Sequence, residues 1–206
     1  MEPGYRLVEI KDGEEWKLKI GDYELAHLLG DTAVVTIRSE IDLSRSERVA
    51  IYGKMMTENL GVSYVVANVL ANSRIRYLFV CGLETKGHCS GDSLVSLYRN
   101  GVIVDGERIK VKGTRAADPT IPLEADEIEE VIDRLRRQVE LIEMIGETDP
   151  EVILREIEKR PKKEPIPEGP FYVTFKKLGS VDVPGGEVVI DPFLSITDEL
   201  WVREVK

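Results

Sequence analysis

Ile75-Arg-Tyr-Leu-Phe-Val-Cys81, followed directly by Gly82-Leu-Glu-Thr-Lys-Gly-His-Cys-Ser-Gly-Asp-Ser93, decides how this chain is read. The first run is short, apolar and rich in β-formers, as a strand buried on both faces of a parallel sheet must be. Leu94, Val95, Leu97 and Tyr98 then recur at helical spacing, and Asn100-Gly101 supplies the stop. Strand, glycine-flanked loop and helix in that order belong to a layered α/β fold. In open parallel sheets ligands bind beyond the carboxyl ends of the strands, so the sequence predicts His88 at the mouth of a crevice.

Upstream, Thr32-Ala-Val-Val-Thr-Ile-Arg38 is apolar on both faces and predicts another buried strand. Ser44 with Glu47 has the form of a capping box, which predicts a helix through Val49, Tyr52, Met55 and Met56 that stops near Asn59 or Gly61, with both methionines in the core. Ser63 is expected to cap a second helix, with Tyr64, Val65, Val66, Val69 and Leu70 as its apolar face. Tyr5-Arg-Leu-Val-Glu-Ile10 and Trp16-Lys-Leu-Lys-Ile20 alternate around Asp12-Gly13 and predict a hairpin over a sheet edge.

Downstream, Val102-Ile-Val104 and Arg108-Ile-Lys-Val-Lys112 flank the turn Asp105-Gly106 and predict paired strands. An apolar stripe from Ile128 to Ile145 predicts one helix from about Ala125 to Ile145, with Arg134, Arg136 and Arg137 facing solvent. Thr148, Pro150 and Glu151 open another, reaching about Arg160. Four prolines between Pro161 and Pro170 forbid a helix and read as a linker. Phe171-Tyr-Val-Thr-Phe175, Glu187-Val-Val-Ile190 and Leu200-Trp-Val-Arg-Glu-Val205 read as three final strands. The predicted plan is an α/β parallel sheet with flanking helices over residues 1–160, beginning with the hairpin of residues 1–20. The linker of residues 161–170 and a small β extension over residues 171–206 follow.

A chain of 206 residues with 42% hydrophobic content buries one full core. Its net charge of -10 excludes a broad phosphate-binding surface, and Lys162-Lys163 is answered by Glu164. Two cysteines and no long apolar run point to a cytoplasmic protein with Cys81 and Cys89 reduced.

A loop histidine can act as a general base, bind a metal, donate to phosphate or simply face water. A Cys89–His88 nucleophilic pair is disfavoured because adjacent loop residues rarely aim at each other. His88, Cys89, Asp92 and Glu84 have zinc-binding atom types but no recognised ligand spacing. Neither a Walker A pattern nor G-x-G-x-x-G after a strand occurs. His27, before Leu28-Leu29-Gly30, lacks ligand-like company and reads as structural.

Several tracts, in order, narrow these readings: Gly21-Asp-Tyr23, Ala33-Val-Val-Thr36, Thr57-Glu-Asn-Leu-Gly61, Val66-Ala-Asn68, Asn72 through Tyr77, Cys81-Gly82, Glu84, Gly87-His88, Gly91, Leu97-Tyr98 with Asn100-Gly101, Lys112-Gly113, and Gln138-Val-Glu-Leu-Ile142. Through them the segment from about Gly21 to Ile157 resembles the A subunit of tetrahydromethanopterin S-methyltransferase, the corrinoid-carrying component of an archaeal methanogen complex. The resemblance implies a Rossmann-like fold and a cobalamin-type cofactor, with His88 as axial ligand to cobalt. It also implies partner methyltransferase subunits and methyl transfer from methyl-tetrahydromethanopterin towards coenzyme M. On that reading Thr57, Glu58, Asn59, Leu60, Gly61, Gly82, Glu84, Gly87, Gly91 and Gly113 join His88 around the cofactor. The same reading lets Lys112-Gly113-Thr-Arg115 wall the pocket.

Such a ligand must bind and release cobalt, so Gly87 and Gly91 are expected to leave room for movement. Glu84 or Asp92 is expected to meet the other ring nitrogen. His88 to Gly91 resembles part of the D-x-H-x-x-G loop of other corrinoid modules, but Lys86 stands where that loop has its acid. Lys86 and Asp92 also replace residues that are usually glutamine in the family, and a carboxy-terminal membrane helix is not expected here. These departures favour a second reading, a non-catalytic corrinoid-binding, sensing or storage module. A third is an α/β domain holding an unrelated nucleotide-like ligand.

Overall fold

The computed structural model describes residues 4–106 and 108–176, and the backbones of four short strands beyond them. The chain divides into two compact units, residues 1–174 and residues 175–206. In the first, chain order runs β1 (Tyr5–Lys11), β2 (Glu14–Lys19), β3 (Tyr23–Leu25), β4 (Thr32–Val35), β5 (Val49–Gly53), α1 (Leu60–Leu70), β6 (Tyr77–Gly82) and α2 (Ser90–Asn100). It continues through β7 (Val102–Asp105), β8 (Arg108–Val111), α3 (Ile128–Gln138), β9 (Glu140–Ile145) and α4 (Pro150–Glu158). The central sheet has the order β3-β5-β4-β6-β9, parallel except for β3 at one edge. This is the predicted layered α/β sheet.

Alternation along β6 builds the two layers. Tyr77, Phe79 and Cys81 pack with Val34, Tyr52 and the α4 residues Ile153, Leu154 and Ile157. Leu78 and Val80, also fully buried, are left for the opposite face, where α1, α2 and α3 pack on one another and α2 on the sheet. None of the described helices is long and apolar enough to cross a membrane.

Two predicted helices contain strands. Val49–Gly53, expected as the middle of a helix, pairs in parallel with β4 as β5. Its residues Val49, Ala50, Ile51 and Tyr52 are all buried, and a helix bearing only the predicted stripe would expose some of them. The Ser44 backbone amide bonds Asp42 in a turn rather than opening a helix. The helix predicted from Ala125 to Ile145 ends at Gln138, where Val139 turns extended (φ -119, ψ 148), and Glu140–Ile145 pairs along all of β6. The buried Gln138 amide donates to the carbonyls of Val69, Asn72 and Ile75 and so pins the break.

Arg134, expected in solvent, is 3% exposed; its guanidinium donates to the Gln138 side chain and to the Gly169 carbonyl, while Arg136 and Arg137 do face water. The β1–β2 hairpin, expected over a sheet edge, lies on α1: Trp16 is fully buried and donates to the Asn68 carbonyl at 2.8 Å. Asp149 rather than Thr148 caps α4, accepting from the Glu151 amide. Residues 161–170 run without regular structure along the first unit. Tyr77 donates to the Pro161 carbonyl at 2.8 Å and the Ile166 amide to that of Ser73 at 2.9 Å.

Of Phe171–Phe175, predicted as a strand, residues 171–174 form none and Phe175 is only an isolated bridge residue; the Phe171 amide donates to Leu70 O instead. In the second unit β10 (Val181–Val183) pairs with β11 (Gly186–Val188) and β12 (Leu194–Ile196) with β13 (Val202–Glu204), all antiparallel. Parts of the two final predicted strands fall in β11 and β13, and the rest of them lies outside the described residues.

Candidate functional site

Three loops meet at the carboxyl end of the parallel strands. The first follows β6. Gly82 closes that strand with φ +84, and a Cβ there would lie 2.0 Å from the Thr36 carbonyl oxygen, so only glycine fits. Residues 83–89 then turn into α2. Its N-cap residue, Cys89 (φ 42), makes no side-chain cap, and Glu84 takes that role from the loop: its carboxylate accepts from the amides of Gly91 at 3.0 Å and Asp92 at 2.9 Å. The Ser90 hydroxyl donates to Met55 O at 2.7 Å and so ties this loop to the one after β5.

The second loop runs from β5 to α1. The Thr57 hydroxyl accepts from the Gly61 amide at 2.9 Å and Asn59 Oδ1 from Leu60 N at 2.7 Å, so together they start the helix. Asn59, not Ser63, is the cap, and the tract joins a strand to a helix rather than two helices. Met55 is buried as expected, whereas Met56 is 50% exposed at this rim.

Glu58 lies between Thr57 and Asn59 with its side chain 4% exposed, and its Oε2 is 2.7 Å from His88 Nδ1. A carboxylate only accepts, so Nδ1 carries the proton and donates. The ring is otherwise open, its side chain 58% exposed. With Nδ1 as the donor, the neutral ring has its lone pair on Nε2, the form in which a histidine binds a metal through that nitrogen. The third loop, residues 112–118, follows β8: Asp118 N donates to the other Glu58 oxygen and Ala117 N to Gly87 O, each at 3.3 Å.

The expected companions of His88 are thus redistributed. Glu84 and Asp92 do not meet the ring: the first caps α2 and the second binds Thr114 and Arg115. The acid missing at Lys86 comes instead from Glu58, thirty positions before His88. Gly87 (φ +78) has open space around it, but Gly91 leaves no room for movement, since a Cβ there would lie 2.5 Å from Ile37 Cδ1. Gly113 lies by Asn100 at the far end of α2, and the residues after it return towards His88. Thr57, Asn59, Leu60 and Gly61 shape the start of α1 beside Glu58. Asp118 and Ala117 carry no signal in the sequence, where nothing about their residue types sets them apart.

Burial, with Glu147 nearby, pushes the Cys81 thiol up to about 12, which leaves it an inert core residue. His27 Nε2 lies 3.0 Å from the Ser44 carbonyl, in keeping with a structural role. Among the described residues no three His, Cys, Asp or Glu side chains gather to hold a bare ion, and the zinc set suggested by composition is dispersed over separate partners.

The family model for the A subunit of tetrahydromethanopterin S-methyltransferase matches residues 10–179. The tetrahydromethanopterin S-methyltransferase A 2 subunit of Methanothermobacter marburgensis is 41% identical over 145 residues, covering 70% of this chain and 76% of its own. A Methanosarcina acetivorans protein, named as the A subunit of a "Putative methyltransferase Mtx", is 39% identical over 181 residues, 86% of this chain and 88% of its own. The corresponding tetrahydromethanopterin S-methyltransferase component of Methanosphaera stadtmanae is 35% identical, and the match spans 59% of its length.

Proposed function

The chain belongs to the family of the tetrahydromethanopterin S-methyltransferase A subunits, and from that membership and the setting of His88 we propose that it is a corrinoid-binding methyl carrier. The observation that carries the proposal is the 2.7 Å contact from His88 Nδ1 to the buried Glu58 carboxylate, which leaves Nε2 free at the open end of the sheet. The residues present would fit a metal that arrives already held by its own macrocycle. They offer one well-oriented nitrogen donor, and no protein chelate competes with it among the described residues. A bound cobalamin or related corrinoid supplies a cobalt that takes up and gives up a methyl group.

The protein's own share would be to position the group and to present the His88 nitrogen to it. Glu58 fixes the tautomer and direction of His88. The β5–α1 loop offers polar side chains and backbone groups to the amide arms of a corrin. Gly87, where a Cβ would meet nothing within 4 Å, would leave space for the ring to advance and withdraw. The sites for methyl donor and acceptor, tetrahydromethanopterin and a thiol by analogy with the family, belong to partner subunits or proteins.

Cobalamin added to the purified protein tests this directly. Binding with a visible spectrum shifted by imidazole coordination is expected, and His88→Ala should abolish the shift. An unshifted spectrum in the unaltered protein, or a shift that survives the substitution, would overturn the proposal.

A further inference from the structure

Asp92 stands in the first turn of α2, one turn from His88, yet every contact of its carboxylate goes to the 112–118 loop. Oδ2 accepts from the Thr114 hydroxyl at 2.9 Å and from Arg115 N at 2.8 Å, and Oδ1 accepts from Arg115 Nε at 3.0 Å. The Arg115 Nη2 also lies 3.0 Å from Oδ1. Thr114 pairs in addition with Ser93 at 2.9 Å. The feet of the loop are clamped where Val111 N donates to Pro119 O at 3.0 Å, so residues 113–118 form a strap between fixed ends that these contacts hold down.

Further along, the strap makes two longer ties at 3.3 Å, Ala117 N to Gly87 O and Asp118 N to Glu58 Oε1. The second bears on the ring. One carboxylate serves two claimants, and the donor held at Oε1 fixes how Oε2 faces His88 Nδ1. Lifting the strap would leave the buried Oε1 without its partner, and the carboxylate would turn towards water. The ring proton would then be free to move to Nε2, the nitrogen a metal requires.

We infer that Asp92 is a positioning residue for His88, acting through the strap and the shared Glu58 carboxylate. The inference deepens the reading of His88 as a ligand and rests on it only for its consequence, because strap and ring can be observed with no corrinoid present. Asp92→Asn should speed hydrogen exchange at the Ala117 and Asp118 amides, and tryptic cleavage after Arg115, by about tenfold or more, the scale of losing one charge-assisted hydrogen bond. The Nδ1-protonated share of His88, read from nitrogen-15 shifts of the ring at pH 8, should fall in the same variant.

Thr114→Val removes one donor from the same fastening and serves if Asp92→Asn fails to fold. It should move both readouts in the same direction. Unchanged exchange would overturn the fastening. Faster exchange with the tautomer held at its original value would reduce Asp92 to a structural role and overturn the inference. Cobalamin titration of the unaltered protein judges the carrier proposal separately, and its failure would leave both readouts as they stand.

Discussion

The two oxygens of Glu58 go to two different loops, and this division sets what a substitution there must do. Glu58→Gln keeps the shape but replaces one acceptor with a donor. If its NH2 group faces Asp118 N, two donors oppose each other; if it faces His88, the ring must protonate Nε2 instead. Either way the ligand nitrogen is compromised, and cobalamin affinity is expected to fall about 10- to 100-fold in an absorbance titration, with the fold intact by circular dichroism. Asp92 gives a prediction in pH. Burial works against its charged form, but the hydrogen bonds from Arg115 N, the Thr114 hydroxyl and the Arg115 guanidinium prevail and hold its carboxyl below the ordinary 3.8. A depressed native value means that the fastening is intact above 3.8 and is lost as pH falls through the native value. The Arg115 amide resonance should therefore stay fixed from pH 7 to 5 and move only below 3.8; a midpoint at or above 3.8 would contradict this.

At the scale of elements, the start of α1 holds Glu58 in place. Thr57→Val removes the acceptor for the Gly61 amide, and a loss of about 1 kcal/mol in urea unfolding is expected, the usual cost of a lost cap. The β6–loop–α2 unit was legible in the sequence because a run buried on both faces, a glycine loop and a helical stripe follow one another with clear punctuation. β5 and β9 were not. Val49 to Tyr52 and Val139 to Ile145 are short apolar runs whose spacing suits a helix as well as a strand. Pairing with β4 and β6, which no local pattern records, decides between them. Arg134 was misplaced for a related reason: once the chain breaks at Gln138, residues 169–171 cover the helix face that a longer helix would have shown to water.

Across the whole molecule, the end of the sheet opposite His88 is tied by one buried ion pair. Arg48 meets Asp31 through two hydrogen bonds, at 3.0 and 2.8 Å, and also donates to the carbonyls of Ile157 and Arg160 at the end of α4. Arg48→Met leaves the Asp31 charge buried without its cation, and stability to urea should drop by about 3–5 kcal/mol. A loss under about 1 kcal/mol would show that water reaches Asp31 and that the tie is dispensable. By itself the sequence determined the family, the layered α/β class and the position of His88 beyond a buried strand, because each is written in contiguous residues or in their order. Only the tertiary structure decided that Glu58 rather than Glu84 or Asp92 holds the ring, and that Asp92 reaches the strap instead. Those partners are joined across loops whose separation depends on which strands lie side by side, and hydrogen bonds form across space rather than along the chain.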